Sequence, residues 1–255
     1  MMLPKPNGDF EWTQEVWGPA LRCPALSARH FFTTRKLEFR GAPHETARAW
    51  GKVAETLGVA PERLRRLRQV HGARAVEVSS ETLQDLSHEW PEADVAISND
   101  PTLALAVRVA DCVPLLLSDP RTGAVAAVHA GWRGMAAGAP MTAISALGRT
   151  YGVRPADLVA AVGPSIGRCC YIVGPELPKE FSVHPEAPSW FLQDDALRLD
   201  LWRATHDQLR RAGLEEDRIH LSKLCTACHT ELFCSYRREK ERTGRLVGVI
   251  RSGRG

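Results

Sequence analysis

The chain has 255 residues, 44% of them hydrophobic, and a formal net charge of +3. That is enough apolar content for a sizeable core, and the dispersed Lys and Arg residues exclude the one-sided basic stripe of a nucleic-acid binder. Membrane spans are excluded too: the apolar stretch from Leu103 to Leu117 is broken by Arg108, Asp111 and Pro114, and MMLPKPNGDFEW has no continuous apolar core for a signal segment.

No Ser/Gly-rich linker or low-complexity block divides residues 1–255, so a single domain in a cytoplasmic protein is expected. Seven cysteines is an odd number, which leaves at least one unpaired, and nothing points to secretion. Reduced thiols follow.

His44 to Leu57 spaces Ala49, Val53 and Leu57 four apart and is followed by Gly58, which predicts a helix and its stop. Pro61-Glu62-Arg63 opens a second helical turn toward Leu67, and QVHG (Gln69 to Gly72) ends it. Leu103 to Val109, Val113 to Leu117 and Gly123 to His129 are aliphatic runs that predict buried strands, the last two joined as a hairpin through Asp119-Pro120-Arg121-Thr122-Gly123. Met135 to Leu147 predicts a small-residue helix whose N-terminus, just beyond His129, would offer free amides to an anion. Leu158 to Val162 and Cys170 to Val173 predict short strands around GPSIG, where Gly163 and Gly167 suit a tight turn or a close backbone approach. Asp200 caps a helix running to Leu209, and Ile219 to Leu221 and Leu246 to Arg251 predict the final strands. The fold class expected is α+β, with mixed β-sheets packed against helices in a layered sandwich.

Three side chains stand in glycine- or proline-punctuated segments next to predicted core strands: His71 in QVHG, Cys112 in ADCVPLLLSDP and His129 in AVAAVHAGWRG. Two imidazoles and a thiolate suit zinc or copper better than magnesium or calcium, and three protein ligands with one open position is the catalytic pattern for zinc. The competing reading is structural, since cysteine is commonly buried and a histidine at a strand end is commonly just hydrogen-bonded.

The run DCVPLLLSDPRTGAVAAVHAGWRG, together with QVHG, GPSIGRCCYIVGPEL and FCSYRREKERTGRLVGVI in that order, resembles the laccase-like polyphenol oxidase domain family. The resemblance spans FFTTR to the terminal VIRS. Members of that family have been reassigned as zinc-dependent purine nucleoside phosphorylases and adenosine deaminases, and others as a peptidoglycan editing factor. The resemblance implies that His71, Cys112 and His129 are zinc ligands and that the partners are a small-molecule purine nucleoside and phosphate. Arg35, Arg133 and Arg237 lie inside the matching segments. Arg35 and Arg237 are the favoured phosphate contacts, because guanidinium groups pair with oxyanions through two parallel donors. Gln69 is a candidate substrate contact or brace beside the first ligand. Trp132 and Tyr236 are candidate purine platforms, with core packing as the alternative.

Zinc-bound water would make hydrolytic deamination of adenosine reachable. The nucleobase deaminases, however, place a Glu two positions after a ligating His, and here that position is Ala73. Asp111, beside Cys112, is the candidate proton shuttle, with turn capping as its other role. Copper oxidase chemistry is disfavoured because the chain has no His-x-His pair. A Cys112–His129 hydrolase acting on a peptidoglycan precursor is a separate alternative. Cys225-Thr226-Ala227-Cys228-His229 matches a haem-attachment pattern, which the cytoplasmic reading and the resemblance both oppose. A second, structural zinc site there would need further ligands, for which Cys234 is the nearby candidate. Adjacent Cys169 and Cys170 are read as structural.

Overall fold

The computed structural model describes residues 3–37, 39–41, 43–81 and 90–253. In chain order the strands are β1 (Glu11–Glu15), β2 (Gly18–Arg22), β3 (His30–Thr33), β4 (Leu64–Arg65), β5 (Ala75–Glu77), β6 (Val95–Ser98), β7 (Ala104–Val109), β8 (Val113–Ser118), β9 (Val125–Ala130), β10 (Val159–Val162), β11 (Phe191–Gln193), β12 (Leu197–Leu199), β13 (Ile219–Leu221) and β14 (Leu246–Arg251). The α-helices are α1 (Pro43–Leu57), α2 (Trp132–Ala136), α3 (Ala139–Tyr151), α4 (Leu201–Arg211) and α5 (Tyr236–Glu239).

Two six-stranded mixed sheets carry the structure, in the orders β1-β2-β3-β14-β7-β4 and β13-β10-β8-β9-β6-β5. Their faces pack on each other, and helices cover the outside. The period of two along each strand assigns the layers. On β7, Leu105 and Val107 enter the core between the sheets with Phe32, Leu116, Val125 and Ala127. Ala104 and Ala106 point the other way, to Trp50, Val53, Ala54 and Leu57 of α1. On β9, Ala126 and Val128 join Leu115, Leu117, Ala143, Ile144 and Leu147 beneath α3. Because both faces of the central strands are covered, they read as near-continuous apolar runs, broken in β7 by the exposed Arg108, instead of alternating ones. Each large aliphatic side chain buried in this way stabilises the fold by roughly 1.5–3 kcal/mol.

The α+β layered class agrees with expectation, and so does the β8–β9 hairpin, with Leu115 opposite Val128 and Leu117 opposite Ala126. Asp200 caps α4 by accepting from the amides of Trp202 and Arg203 at 3.1 and 3.0 Å. Three expectations need correction. The helix expected from Met135 to Leu147 is two helices, divided at Gly138, whose φ of 75° ends the short α2. Cys170 to Val173 is no strand: the amides of Cys170 and Tyr171 both donate to the Gly167 carbonyl and close a tight turn. Pro61–Arg63 is a single 3-10 turn that runs straight into β4, which pairs in parallel with β7. The strands β1 and β2 were not expected because their ribbon is a half-exposed edge, with residues such as Glu11 opposite Arg22, and so lacks an apolar run.

Gly163, immediately after β10, donates its amide to the Pro114 carbonyl at 2.9 Å and lies against Phe32 in the inter-sheet core. A Cβ built there would lie 2.3 Å from the Phe32 ring, and Phe32 is fully enclosed. Gly163→Ala should therefore destabilise the protein by about 1–3 kcal/mol through overpacking. A urea titration with unchanged slope and a lowered midpoint would show this, and an unchanged midpoint would refute the close-packing argument.

Candidate metal centre and arginine-lined cleft

His71, Cys112 and His129 arrive at one point from two turns and the end of a strand. His129 is the penultimate residue of β9, Cys112 lies immediately before β8, and His71 sits in the QVHG turn before β5. Their ligand atoms lie within 4.8 Å of one another. The two imidazoles meet edge to face, with ring centroids 4.8 Å apart.

One carboxylate, unremarked in the sequence, organises this trio. Asp94 is wholly buried at the start of β6. Its Oδ1 accepts from His129 Nδ1 at 2.7 Å, and its two oxygens together accept the backbone amides of Val70, His71 and Gly72 at 3.2, 3.1 and 2.7 Å. Three consecutive amides can converge on one anion because His71 adopts a left-handed backbone, φ 61°. A non-glycine residue there is strained by of order 1–3 kcal/mol, a cost carried only where surrounding contacts enforce it.

The electrostatics follow from this arrangement. Burial pushes the Asp94 carboxyl up, yet the His129 hydrogen bond and the Gly72 and Val70 amides outweigh it and hold the group below its ordinary range. Burial likewise pulls His129 down, but hydrogen bonds to Asp94 and Cys112 carry it up to about 9. Burial raises the Cys112 thiol, and the two histidines overcome this and bring it down to about 6. Without metal, the site at neutral pH is a thiolate beside an imidazolium.

The donor set fits a tetrahedral zinc ion. Ligands at about 2.0–2.3 Å from zinc stand roughly 3.3–3.8 Å apart on a tetrahedron, within the spread seen here. Asp94 occupies His129 Nδ1 and leaves Nε2 for the metal, the usual carboxylate–histidine support. Gly131 closes one wall: a Cβ on it would come within 2.8 Å of Cys112 Sγ and 3.3 Å of the His71 ring.

The trio opens into a cleft of about 980 Å³ with a markedly cationic wall: Arg40, Arg108, Arg133, Arg237, Lys240 and Arg245 line it, against the carboxylates of Asp111 and Glu241. Trp132, Tyr171 and Tyr236 supply ring faces. The Arg133 guanidinium lies 4.1 Å from the Trp132 ring centre, and that of Arg237 5.2 Å from Tyr171. Burial and the neighbouring Arg245 both depress the Arg108 guanidinium, a cationic crowding that an anion would relieve.

Of the residues named from sequence, His71, Cys112, His129, Asp111, Gln69, Arg133, Arg237, Trp132 and Tyr236 all line this cleft. Arg35 does not. Its guanidinium donates to the Thr230 and Phe233 carbonyls and pairs with Glu239 at 2.8 Å, tying down the segment that carries Arg237. Gln69 spends its amide on the Arg108 backbone, donating to the carbonyl and accepting from the amide, both at 2.8 Å, which continues the β4–β7 pairing beyond β4. Asp111, with φ 82°, accepts Thr226 Oγ1 and the Arg237 amide at 2.6 Å each, so it braces two walls of the cleft. Sequence reasoning passed over Asp94, Arg108, Arg245 and Tyr171. For Asp94 and Arg108 the available signal was a charge abutting or interrupting an apolar strand, in EADVAIS and ALAVRV.

In metal-free protein, alkylation of Cys112 followed by peptide mass mapping should rise through a midpoint near pH 6, because the thiolate exists above that value. A midpoint at an ordinary thiol value would contradict the thiolate–imidazolium arrangement. Asp94→Asn removes the anion that keeps His129 protonated, so the midpoint should move up, and zinc affinity measured by competition with a chelator should fall about 10–100-fold.

Residues 29–252 match the family described as multi-copper polyphenol oxidoreductase laccase. A purine nucleoside phosphorylase of Deinococcus radiodurans is 34% identical over 247 residues, covering 91% of this chain and 92% of that one. Purine nucleoside phosphorylase YlmD of Geobacillus stearothermophilus is 33% identical over 207 residues, covering 78% and 76%. The crystal structure of YlmD from that organism superposes with a TM-score of 0.85 at 30% identity, covering 94% of this chain and 98% of that one. No helix among the described residues is long and apolar enough to cross a membrane. By the extent of these matches, the chain belongs to the multi-copper polyphenol oxidoreductase laccase family.

Proposed function

We propose that this protein is a zinc-dependent purine nucleoside phosphorylase that accepts inosine, adenosine and methylthioadenosine, with adenosine deamination as a side activity. The observation that carries the reading is the position of the His71–Cys112–His129 trio on the wall of a cleft crowded with arginines. The name purine nucleoside phosphorylase on relatives of similar length supports it.

Phosphorolysis breaks the bond from the ribose C1′ to the purine nitrogen and forms one from C1′ to a phosphate oxygen, while the phosphate proton passes to the purine. Arg237, with Arg108 and Arg245 opposite, holds the attacking phosphate through charge-assisted hydrogen bonds. The same oxyanion then faces the positive charge that develops on the ribose. Trp132, Tyr171 and Tyr236 offer faces on which a purine stacks. A zinc ion held by His71, Cys112 and His129 would supply a Lewis acid and activated water, the latter being what deamination needs. Copper is the less favoured occupant, since the chain lacks any His-x-His pair. Asp111 is the carboxylate beside Cys112 to which we assign the proton transfer of the deaminase reaction.

A second reading has its own observation. Cys112, His129 and Asp94 form a nucleophile, base and orienting carboxylate in series, the arrangement of a cysteine hydrolase that would cleave an amide in a peptidoglycan precursor.

Zinc-replete protein incubated with inosine and phosphate should release hypoxanthine and ribose 1-phosphate, and Arg237→Ala should raise the phosphate KM by roughly ten- to a hundredfold, as loss of a charge-assisted hydrogen bond implies. Absence of product from folded, zinc-loaded protein would refute the phosphorylase reading. Amide hydrolysis retained after chelation and abolished by alkylating Cys112 would establish the hydrolase instead.

A further inference from the structure

Four of the six cysteines that the cleft does not use form a second constellation. Cys169 and Cys170 follow the GPSIG turn, Cys225 and Cys228 belong to the CTACH segment, and the four sulfurs lie within 4.8 Å of one another. We propose that these four thiols hold a second, structural zinc ion that is independent of the cleft centre and of its reaction.

The geometry is that of a single tetrahedral ion. Four thiolates at about 2.3 Å from zinc have sulfur–sulfur edges of roughly 3.8 Å. Cys228 Sγ stands 3.6 Å from Cys169 Sγ and 3.5 Å from Cys170 Sγ. Such compactness leaves no room for an iron–sulfur cluster between the sulfurs. The two half-sites are built as ligand turns. In Cys-x-x-Cys, the amides of Cys228 and His229 both donate to the Cys225 carbonyl at 3.2 Å, which brings the two thiols to one side. In the other half, the Cys170 and Tyr171 amides close on Gly167, and the Gly167 amide itself donates to Cys225 Sγ at 3.3 Å, as amides do to metal-bound thiolates. The surplus negative charge of four thiolates has a cationic neighbour: Arg238 Nη2 lies 3.9 Å from Cys170 Sγ. Cys234, the ligand foreseen from sequence, is elsewhere. It is buried against Gly244, whose built Cβ would lie 3.2 Å from its sulfur.

The place of the site explains its use. The first half-site leads out of Ile166 and into Tyr171, both in the cleft wall, and the second leads through Thr226 toward Tyr236 and Arg237. A zinc ion joining them would clamp two cleft-lining segments that are about sixty residues apart in sequence, in the same way that a cross-link closes a long loop. Asp111 completes the clamp from the cleft side through Thr226 and the Arg237 amide.

The decisive protein is the full chain with His71→Ala, Cys112→Ala and His129→Ala combined, which removes the cleft ligands. Purified without chelator, it should retain about one zinc per chain by elemental analysis and native mass spectrometry, and adding Cys169→Ser and Cys228→Ser should lower this to none. Cobalt substitution should give the intense visible absorption of a tetrahedral thiolate site, lost in the serine variants. Metal-free protein with four freely titrating thiols, a mass two hydrogens lighter that marks a disulfide, or bound iron would each overturn the proposal. Should the combined variant fail to fold, cadmium NMR of the unsubstituted chain decides. Two resonances are expected, one shifted to the position of an all-sulfur site, and the lack of that resonance would overturn the assignment. Loss of the cleft metal alone leaves this outcome unaffected, so the two sites fail separately.

Discussion

The buried Asp94 carboxylate is the constraint on which the rest of the centre depends. Placing an unpaired carboxylate where solvent does not reach costs several kcal/mol, and nothing in the apolar strand that follows it would repay that. The three amides of the QVHG turn and the His129 imidazole do. In satisfying one anion, the fold fixes two of the three ligands at once: His71 through its backbone and His129 through its ring nitrogen. It also fixes the orientation of the His129 ring, because Asp94 holds its Nδ1.

The layered architecture supplies what a single turn does not. Strands β8 and β9 are neighbours in register, with Val113 opposite Ala130, so the residue before one strand and the residue near the end of the other meet at the same sheet end. Both faces of this sheet are covered, which makes the strands rigid and lets their ends carry strained turns at His71 and Asp111. On the far side of the cleft, the segments bearing Tyr171 and Arg237 have little regular structure of their own. They are held by Asp111 and by Arg35 on Glu239.

The family's copper-oxidase description and the purine nucleoside phosphorylase names of the relatives speak to different chemistries. One thiolate and two imidazoles are a donor set that could hold a single ion, and the guanidinium groups lining the same cleft are what the proposed phosphorolysis would use to bind an oxyanion. Asp94 behind His129 would serve either a metal or a cysteine nucleophile, since both need an imidazole of fixed orientation.

By itself the sequence determined the features whose physics is local. The four-residue spacing in α1, the Asp200 cap and the aliphatic runs of β7, β8 and β9 all act within a few positions of the chain, so the layered α+β class could be read directly, while His71, Cys112 and His129 were singled out as a ligand set by the family resemblance. Tertiary structure alone decided which residues support them. Asp94 meets His129 across 35 positions, Gln69 meets Arg108 across 39, and Cys170 meets Cys228 across 58. Such pairings leave no periodicity, because they are set by strand register and by the path of irregular segments. Arg35, in a matching segment, was read toward substrate, yet it is drawn to the carbonyls of residues almost two hundred positions away. Cys169 and Cys170 were read only as structural for the same reason: the thiols of Cys225 and Cys228 that meet them come from more than fifty positions along the chain.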